Sequence, residues 1–219
     1  MLDDAYLHWL DQCGFSDPAR TLLTDIRRSP PIRRVAGGRR NIHGRYPSRK
    51  MHRTIQFESH TELGAIYVME HDPSILEYWD QPTRLKLHYL GPSRRRVTNW
   101  HPPDFLVLRQ GGASFEEWKR EEELVRLVKE HSDRYQRHLS GGYRSAPGEA
   151  AAEALGLLYR VRSSRELSAV FVQNLLFLDD YWVTPLVVDE FHHHLLQERV
   201  AAQPGVRLAE ILEPKARSR

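Results

Sequence analysis

The stretch Pro102-Pro103-Asp104-Phe105-Leu106-Val107-Leu108-Arg109-Gln110-Gly111-Gly112-Ala113-Ser114-Phe115-Glu116-Glu117-Trp118-Lys119 decides how this chain is read. An acid heads an unbroken apolar run, a Gly-Gly turn follows, and the returning segment carries Glu117 and Lys119 two residues apart. Side chains alternate across a strand, so Glu117 and Lys119 project from one face, and a turn through the glycines lets Asp104 join them. Two carboxylates and one ammonium then share a pocket. Oxygen-rich sites of this kind hold Mg²⁺ or Mn²⁺, with the lysine placed to orient or deprotonate a water. The plainer reading of residues 116–123 is a solvated strand end and helix start, and Asp after Pro commonly opens a strand. On this stretch alone both readings stand. The apolar run from Phe105 to Leu108 predicts a central strand buried on both faces.

Upstream, a loop of basic and polar residues containing Arg94, Arg95 and Arg96 is expected to lead into Asp104. Before it, Ile75-Leu76-Glu77-Tyr78-Trp79 and Arg84-Leu85-Lys86-Leu87-His88-Tyr89 read as two strands around Gln81-Pro82. Thr54-Ile55-Gln56-Phe57 alternates like a strand, and Ser59 opens a helix to about Glu70. Ser59 and Glu62 have the spacing of a capping box, in which the serine accepts from the Glu62 amide and the Glu62 carboxylate reaches back to the Ser59 amide. Composition does not decide between that role and a catalytic one for Glu62.

The chain has 219 residues, 40% of them hydrophobic, and a formal net charge of +3. That length suits one well-buried domain with a small appendage. No apolar run is long enough to cross a bilayer, and the acids of Met1-Leu2-Asp3-Asp4 do not suit a signal peptide, so a cytoplasmic address is expected. Cys13 is the only cysteine, which excludes an internal disulfide framework or a Cys-based zinc cluster. The charge is unevenly spread. Between Asp25 and Glu58 there is no acid, while Arg27, Arg28, Arg33, Arg34, Arg39, Arg40, Arg45, Arg49, Lys50 and Arg53 fall there. With Gly37, Gly38 and Gly44 among them, residues 33–53 read as a flexible basic arm laid along a nucleic-acid backbone, or as a basic linker with no ligand.

Residues 2–28 read as two short helices forming an N-terminal extension, residues 1–31, that stops at Ser29-Pro30-Pro31. Residues 32–164 form the main domain. Past Lys119, Leu124, Leu127 and Val128 predict a helix extending toward His138; Pro147-Gly148-Glu149 starts a short helix and residues 157–161 a further strand. Residues 165–219 read as a helical C-terminal region. Its first helix opens at the capping box Ser163-Ser164-Arg165-Glu166, with Leu167, Val170, Phe171, Asn174, Leu175, Leu178 and Tyr181 at helical steps. Thr184-Pro185 starts another helix, and the basic tail from Lys215 frays. Three consecutive histidines, His192 to His194, point about 100° apart on a helix and cannot share one metal. The element order describes an α/β protein with a mixed sheet flanked by helices.

Read together, Tyr46-x-Ser48-x-Lys50, Glu58-Ser59-x-x-Glu62, Glu70-x-Asp72-Pro73, Gln81-Pro82, Pro103-Asp104-Phe105-Leu106-Val107 and Glu117-x-Lys119 resemble the TnsA family of transposon-end endonucleases. Pro147-Gly148-Glu149-Ala150-Ala151, Arg165-Glu166-Leu167 and Asn174-x-x-Phe177-Leu178-x-x-Tyr181 extend the likeness, which covers about residues 34–182. The resemblance implies a restriction-endonuclease-like PD-(D/E)XK fold for residues 32–164, and a C-terminal part that is winged-helix-like or docks a partner. It implies Glu62, Asp104, Glu117 and Lys119 as catalytic residues. Glu62, Asp104, Glu117 and the Trp118 carbonyl would hold one or two Mg²⁺ or Mn²⁺. The implied partners are double-stranded DNA at transposon ends, a DDE-type transposase and an AAA+ ATPase, in a bacterial cytoplasm at the nucleoid. Arg39, Arg40, Arg45, Arg49, Lys50, Arg53, Arg94, Arg95 and Arg96 are the expected DNA-binding residues. The polar opening Ala113-Ser114-Phe115-Glu116 departs from the family pattern and predicts a short or edge strand for Glu117. A stand-alone restriction-type endonuclease and a non-catalytic DNA-binding subunit are the alternatives.

Overall fold

The computed structural model describes residues 1–33, 42–91, 94–183 and 189–212. Arg34, Arg39, Arg40, the Thr184-Pro185 helix start and the tail from Lys215 lie outside the described residues. Helices α1 (Asp3–Cys13) and α2 (Asp17–Arg28) precede a hairpin of β1 (Gly44–Ser48) and β2 (Arg53–Phe57). Then come α3 (His60–His71), β3 (Ile75–Asp80), a hairpin of β4 (Leu85–Leu90) and β5 (Arg96–His101), and a third hairpin of β6 (Phe105–Arg109) and β7 (Gly112–Lys119). Helix α4 (Glu121–Glu130), short strands β8 (Gln136–Arg137) and β9 (Tyr143–Arg144), helix α5 (Ala146–Glu153) and strand β10 (Leu158–Ser163) follow. Helices α6 (Ala169–Val183), α7 (Glu190–Ala202) and α8 (Leu208–Leu212) come after these.

The protein is a mixed α/β structure. Six strands form one sheet in the order β3-β6-β7-β10-β9-β8, and β1-β2 and β4-β5 are separate two-stranded sheets. β6 is antiparallel to both neighbours, β3 and β7, and β10 returns parallel to β7. The expected central strand is present: Phe105, Leu106, Val107 and Leu108 are all buried. Alternation sends Leu106 and Leu108 to one face with Phe115, Tyr159 and Val161, and Phe105 and Val107 to the other with Tyr78 and Trp118. α3 covers the second face with Ala65, Ile66 and Met69. On the first face Tyr6, Trp9, Leu10, Leu23 and Ile26 of the N-terminal helices pack with Leu85, Leu87 and Leu124. Those helices, read from sequence as an extension, are thus part of the sheet's core. Arg27 fastens them, its Nε and Nη2 donating to Glu77 of β3 at 2.9 and 2.8 Å, and the Trp9 indole donates to the Arg109 carbonyl at 2.8 Å.

The structure departs from the sequence reading at several elements. β7 is eight residues long and flanked on both sides, not short or at an edge. Its polar residues are satisfied internally: Glu116 receives Arg109 Nη2 at 2.9 Å and the Trp118 indole at 3.2 Å, and Arg109 Nη1 donates to Ser114 at 3.1 Å. The segment expected as a loop before Asp104 contains β5, held in register against β4 from Leu85↔His101 to Leu90↔Arg96. Within the basic arm, β1 is an ordered strand. α4 stops at Glu130. The capping box at Ser163 and Glu166 is present, but it closes a single 3₁₀ turn. Leu167 is extended there and its side chain stands against Gly64 of α3, where an added Cβ would lie 3.0 Å from its Cδ1, and α6 begins at Ala169.

The chain divides into two compact units, Met1–Phe177 and Leu178–Arg219. In the second unit Asp189 caps α7, and Arg199 of α7 donates to the Glu210 carbonyl of α8 at 2.7 Å. No helix among the described residues is long and apolar enough to cross a membrane.

Glu70, in the last turn of α3, ties that helix to the β1-β2 hairpin and to β3. Ser48 and Tyr78 hydroxyls donate to one of its oxygens at 2.6 and 2.5 Å, and the amides of Arg49 and Lys50 to the other at 2.8 and 2.9 Å. Burial opposes ionisation, but these donors overcome it and hold the carboxyl below its usual range. Because the folded value is depressed, the stabilisation is complete above the unfolded value of about 4.3 and is lost as pH falls through the folded one. Glu70→Gln is therefore expected to lose about 2 kcal/mol at neutral pH and to show a flatter decline in acid, read by urea denaturation at successive pH values. Parallel wild-type and variant curves would remove Glu70 from the acid response.

Candidate active site

The third hairpin sets the site. Phe105 opposes Glu116, which brings Asp104, one step before β6, level with Glu117, and Asp104 Oδ2 accepts the Trp118 N–H at 2.7 Å. Lys119 shares the Glu117 face and its Nζ lies 3.2 Å from Glu117 Oε1 and 3.8 Å from Glu123 Oε1. Glu62 arrives from the first turn of α3. Its amide donates to Ser59 Oγ at 3.1 Å, and its carboxylate accepts from the Ser59 hydroxyl at 2.9 Å and the Glu58 amide at 2.8 Å. The capping reading is thus borne out, with the Glu58 amide in the place expected of the Ser59 amide. The same carboxylate also acts on Asp104 and is acted on by Lys119. All four sequence candidates meet at one end of the sheet.

Their charges are unequally settled. Burial raises Asp104 well above the ordinary carboxyl range, Glu62 and Glu117 raise it further, and Lys119 and the Trp118 amide only partly counter them. Burial likewise raises Glu62, against the Glu58 amide and Ser59 hydroxyl. Glu117 behaves oppositely. It is 1% exposed, and burial alone would raise it, yet His101, Lys119 and Arg134 hold it far below the usual range. Burial pulls Lys119 down, and Glu117, Asp104 and Glu123 outweigh that and keep it charged.

Glu117 is ringed by donors that the sequence did not reveal. Tyr135 and Tyr159 hydroxyls donate to its two oxygens at 2.8 and 2.7 Å. His101 Nε2 lies 3.3 Å and Arg134 Nη2 3.7 Å from Oε1. His101 closes β5 just before Pro102, a position that could have been noticed. Arg134 and Tyr135 sit in a loop, and Tyr159 reaches Glu117 only because β10 pairs with β7, so neither has a local signal. Tyr159 also stands close against α5: a Cβ on Gly148 would lie 2.7 Å from its ring.

The basic candidates separate. Arg45, Arg94, Arg95 and Arg96 are exposed, as is Arg49. Lys50 belongs to the fold: its Nζ donates to the Met69 and Asp72 carbonyls at 2.6 Å each. Arg53 lies over the Trp79 ring at 4.8 Å. A cleft of about 900 Å³ beyond Lys119, next to Glu121 and β10, is lined by Arg137, Arg144, Arg160, Arg162 and Arg165, none of them among the DNA-binding residues expected from sequence.

Chemically, a cation would relieve the crowding of Asp104 and Glu62, and all the side chains offered are hard oxygens, which fits Mg²⁺ or Mn²⁺. Among the described residues, however, no three acidic or histidine side chains already stand as a ligand cluster, since Glu62 turns toward its cap and Glu117 toward its cations. Comparison with protein-family models and with curated proteins returns no match to this chain.

Proposed function

We propose that this chain is a metal-dependent DNA endonuclease with a restriction-endonuclease-like nuclease fold, acting as the strand-cleaving subunit of a heteromeric transposase. The observation that carries the nuclease reading is the convergence of Glu62, Asp104, Glu117 and Lys119, from α3 and the β6-β7 hairpin, at one end of the sheet. The transposon-end role, with its transposase and ATPase partners, rests on the sequence resemblance.

Asp104, Glu62, Glu117 and the Trp118 carbonyl would hold Mg²⁺ or Mn²⁺, which supplies charge neutralisation at the scissile phosphate and acidifies water. The chain's own residues do the rest. Lys119, kept protonated by Glu117 and Asp104, presents a fixed positive charge to the phosphate or orients the attacking water. Glu117, anchored by two tyrosine hydroxyls, fixes where that ammonium stands. Surface arginines on the hairpins and in the cleft beside Glu121 hold the DNA backbone without reading sequence.

Lys119→Ala is expected to lower Mg²⁺-dependent nicking of duplex DNA by about 10²- to 10³-fold, measured on supercoiled plasmid and on transposon-end duplexes, with and without the partner transposase. Cleavage equal to wild type would sink the reading. A second reading is favoured by the cations Lys119 and Arg134 beside Glu117: a nuclease fold serving as a DNA-binding subunit. It predicts no cleavage by any variant, and wild-type DNA affinity that divalent ions leave unchanged.

A further inference from the structure

We infer that the β4-β5 hairpin is a ribbon that enters the major groove of duplex DNA and reads it through Lys86, His88, Thr98 and Trp100. This rests on the DNA-binding part of the proposed function, and goes beyond it in assigning an element, a face and a groove.

Register and alternation fix the two faces. Leu85, Leu87 and Tyr89 oppose His101, Asn99 and Val97, and Leu85 and Leu87 are buried in the sheet's core, which anchors the ribbon. The other face pairs Lys86 with Trp100, His88 with Thr98 and Leu90 with Arg96. Trp100 is 59% exposed there, a large aromatic left in water beside a lysine. The His88 ring and the Thr98 hydroxyl bond to each other at 3.0 Å, presenting a joined polar pair at the centre of the face. At the tip Arg94, Arg95 and Arg96 are exposed.

Charge selects the occupant. Between Asp80 and Asp104 the chain has no acid, while Arg84, Lys86, Arg94, Arg95 and Arg96 fall in that interval. None of these cations has a carboxylate partner among the described residues, so a polyanion meets them without displacing an ion pair. Size selects the groove. A two-stranded ribbon fits a major groove about 12 Å wide, and six paired residues at about 3.4 Å each span about 20 Å, some six base pairs. The ribbon then runs directly through His101 into Pro102-Pro103-Asp104, so contact with the groove fixes its distance from the acids. The deep, narrow major groove of duplex RNA admits no such ribbon.

The test measures binding of the full chain to labelled DNA duplexes by fluorescence anisotropy in EDTA, where no cleavage occurs. Arg95→Ala combined with Arg96→Ala is expected to reduce the salt dependence of log K by about 0.9 per lost phosphate contact. Arg94 is left in place because its φ of 56° lies in the left-handed region, where a substitution also changes backbone strain. Trp100→Ala is expected to weaken binding about tenfold, with the salt slope unchanged and the ranking of duplexes of different sequence flattened. Duplex RNA of the same sequence binds at least about tenfold more weakly. Unchanged affinity and slope in the basic variant, an unchanged ranking in Trp100→Ala, or equal binding of RNA would each overturn the assignment. These readouts are independent of catalysis: an Asp104 variant that still cut DNA would sink the nuclease and leave the ribbon, and wild-type binding by the ribbon variants would do the reverse.

Discussion

Asp104→Asn is expected to abolish divalent-dependent strand cleavage, by at least about 10³-fold, while leaving the protein as stable as wild type or more so by about 1 kcal/mol. The two halves of that result come from one local fact. Burial and the Glu62 and Glu117 carboxylates beside it raise Asp104 and oppose a charge there. An amide there is neutral and still offers an oxygen to the Trp118 N–H that now reaches Oδ2 at 2.7 Å. A residue kept for packing would lose stability when changed; one kept for a bound cation loses function and not stability. Thermal denaturation with added Mn²⁺ gives a second measure, because a ligand that binds only the folded state raises the melting temperature of the wild type and not of the variant. A destabilised variant that cut DNA at the wild-type rate would assign Asp104 to the fold alone.

Glu117→Ala is expected to fail differently, losing about 3–5 kcal/mol of stability together with cleavage. Its carboxylate is the acceptor for two buried tyrosine hydroxyls and the counter-charge for Lys119 and Arg134, with the His101 ring 3.3 Å away. Removing it leaves those donors facing one another with no acid between them, and the low dielectric that favours the intact group then works against it. Glu117→Gln retains an acceptor and loses less. Urea denaturation of the two variants, with the m-value checked for constancy, measures the difference. An alanine variant within about 1 kcal/mol of wild type would show that the ring tolerates an empty centre.

The central hairpin was legible because its information is local. The apolar run at Phe105, the glycines at the turn and the Glu117-x-Lys119 spacing lie within eighteen consecutive residues, residues 102–119, and alternation alone puts the key side chains on one face. Glu62 was legible as a capping residue, but its nearness to Asp104 depends on how α3 lies across the sheet, which no local pattern encodes. β5 was missed because Arg96 to His101 is mostly polar and its Val97 and Trp100, three apart, lack the period-two alternation of a half-buried strand. It is a strand through its register with β4, whose Leu85 and Leu87 do the burying. The edge-strand expectation for β7 failed because Ser114 and Glu116 are buried in partnership with Arg109 and the Trp118 indole, contacts made after the sheet assembles. The basic arm was read by composition, which counts charges without showing that Lys50 is engaged by two carbonyls.

Gly148 gives the site a reach that its own residues do not suggest. Tyr159 leans on the bare backbone of α5 at this glycine while its hydroxyl holds Glu117 Oε2 at 2.7 Å. A single methyl group added at Gly148 would press on the ring, and the ring has one end fixed on the acid, so the push arrives at Glu117 and hence at Lys119. The helix behind the sheet acts as a gauge block: the thickness of one residue there sets the seating of the charge at the centre.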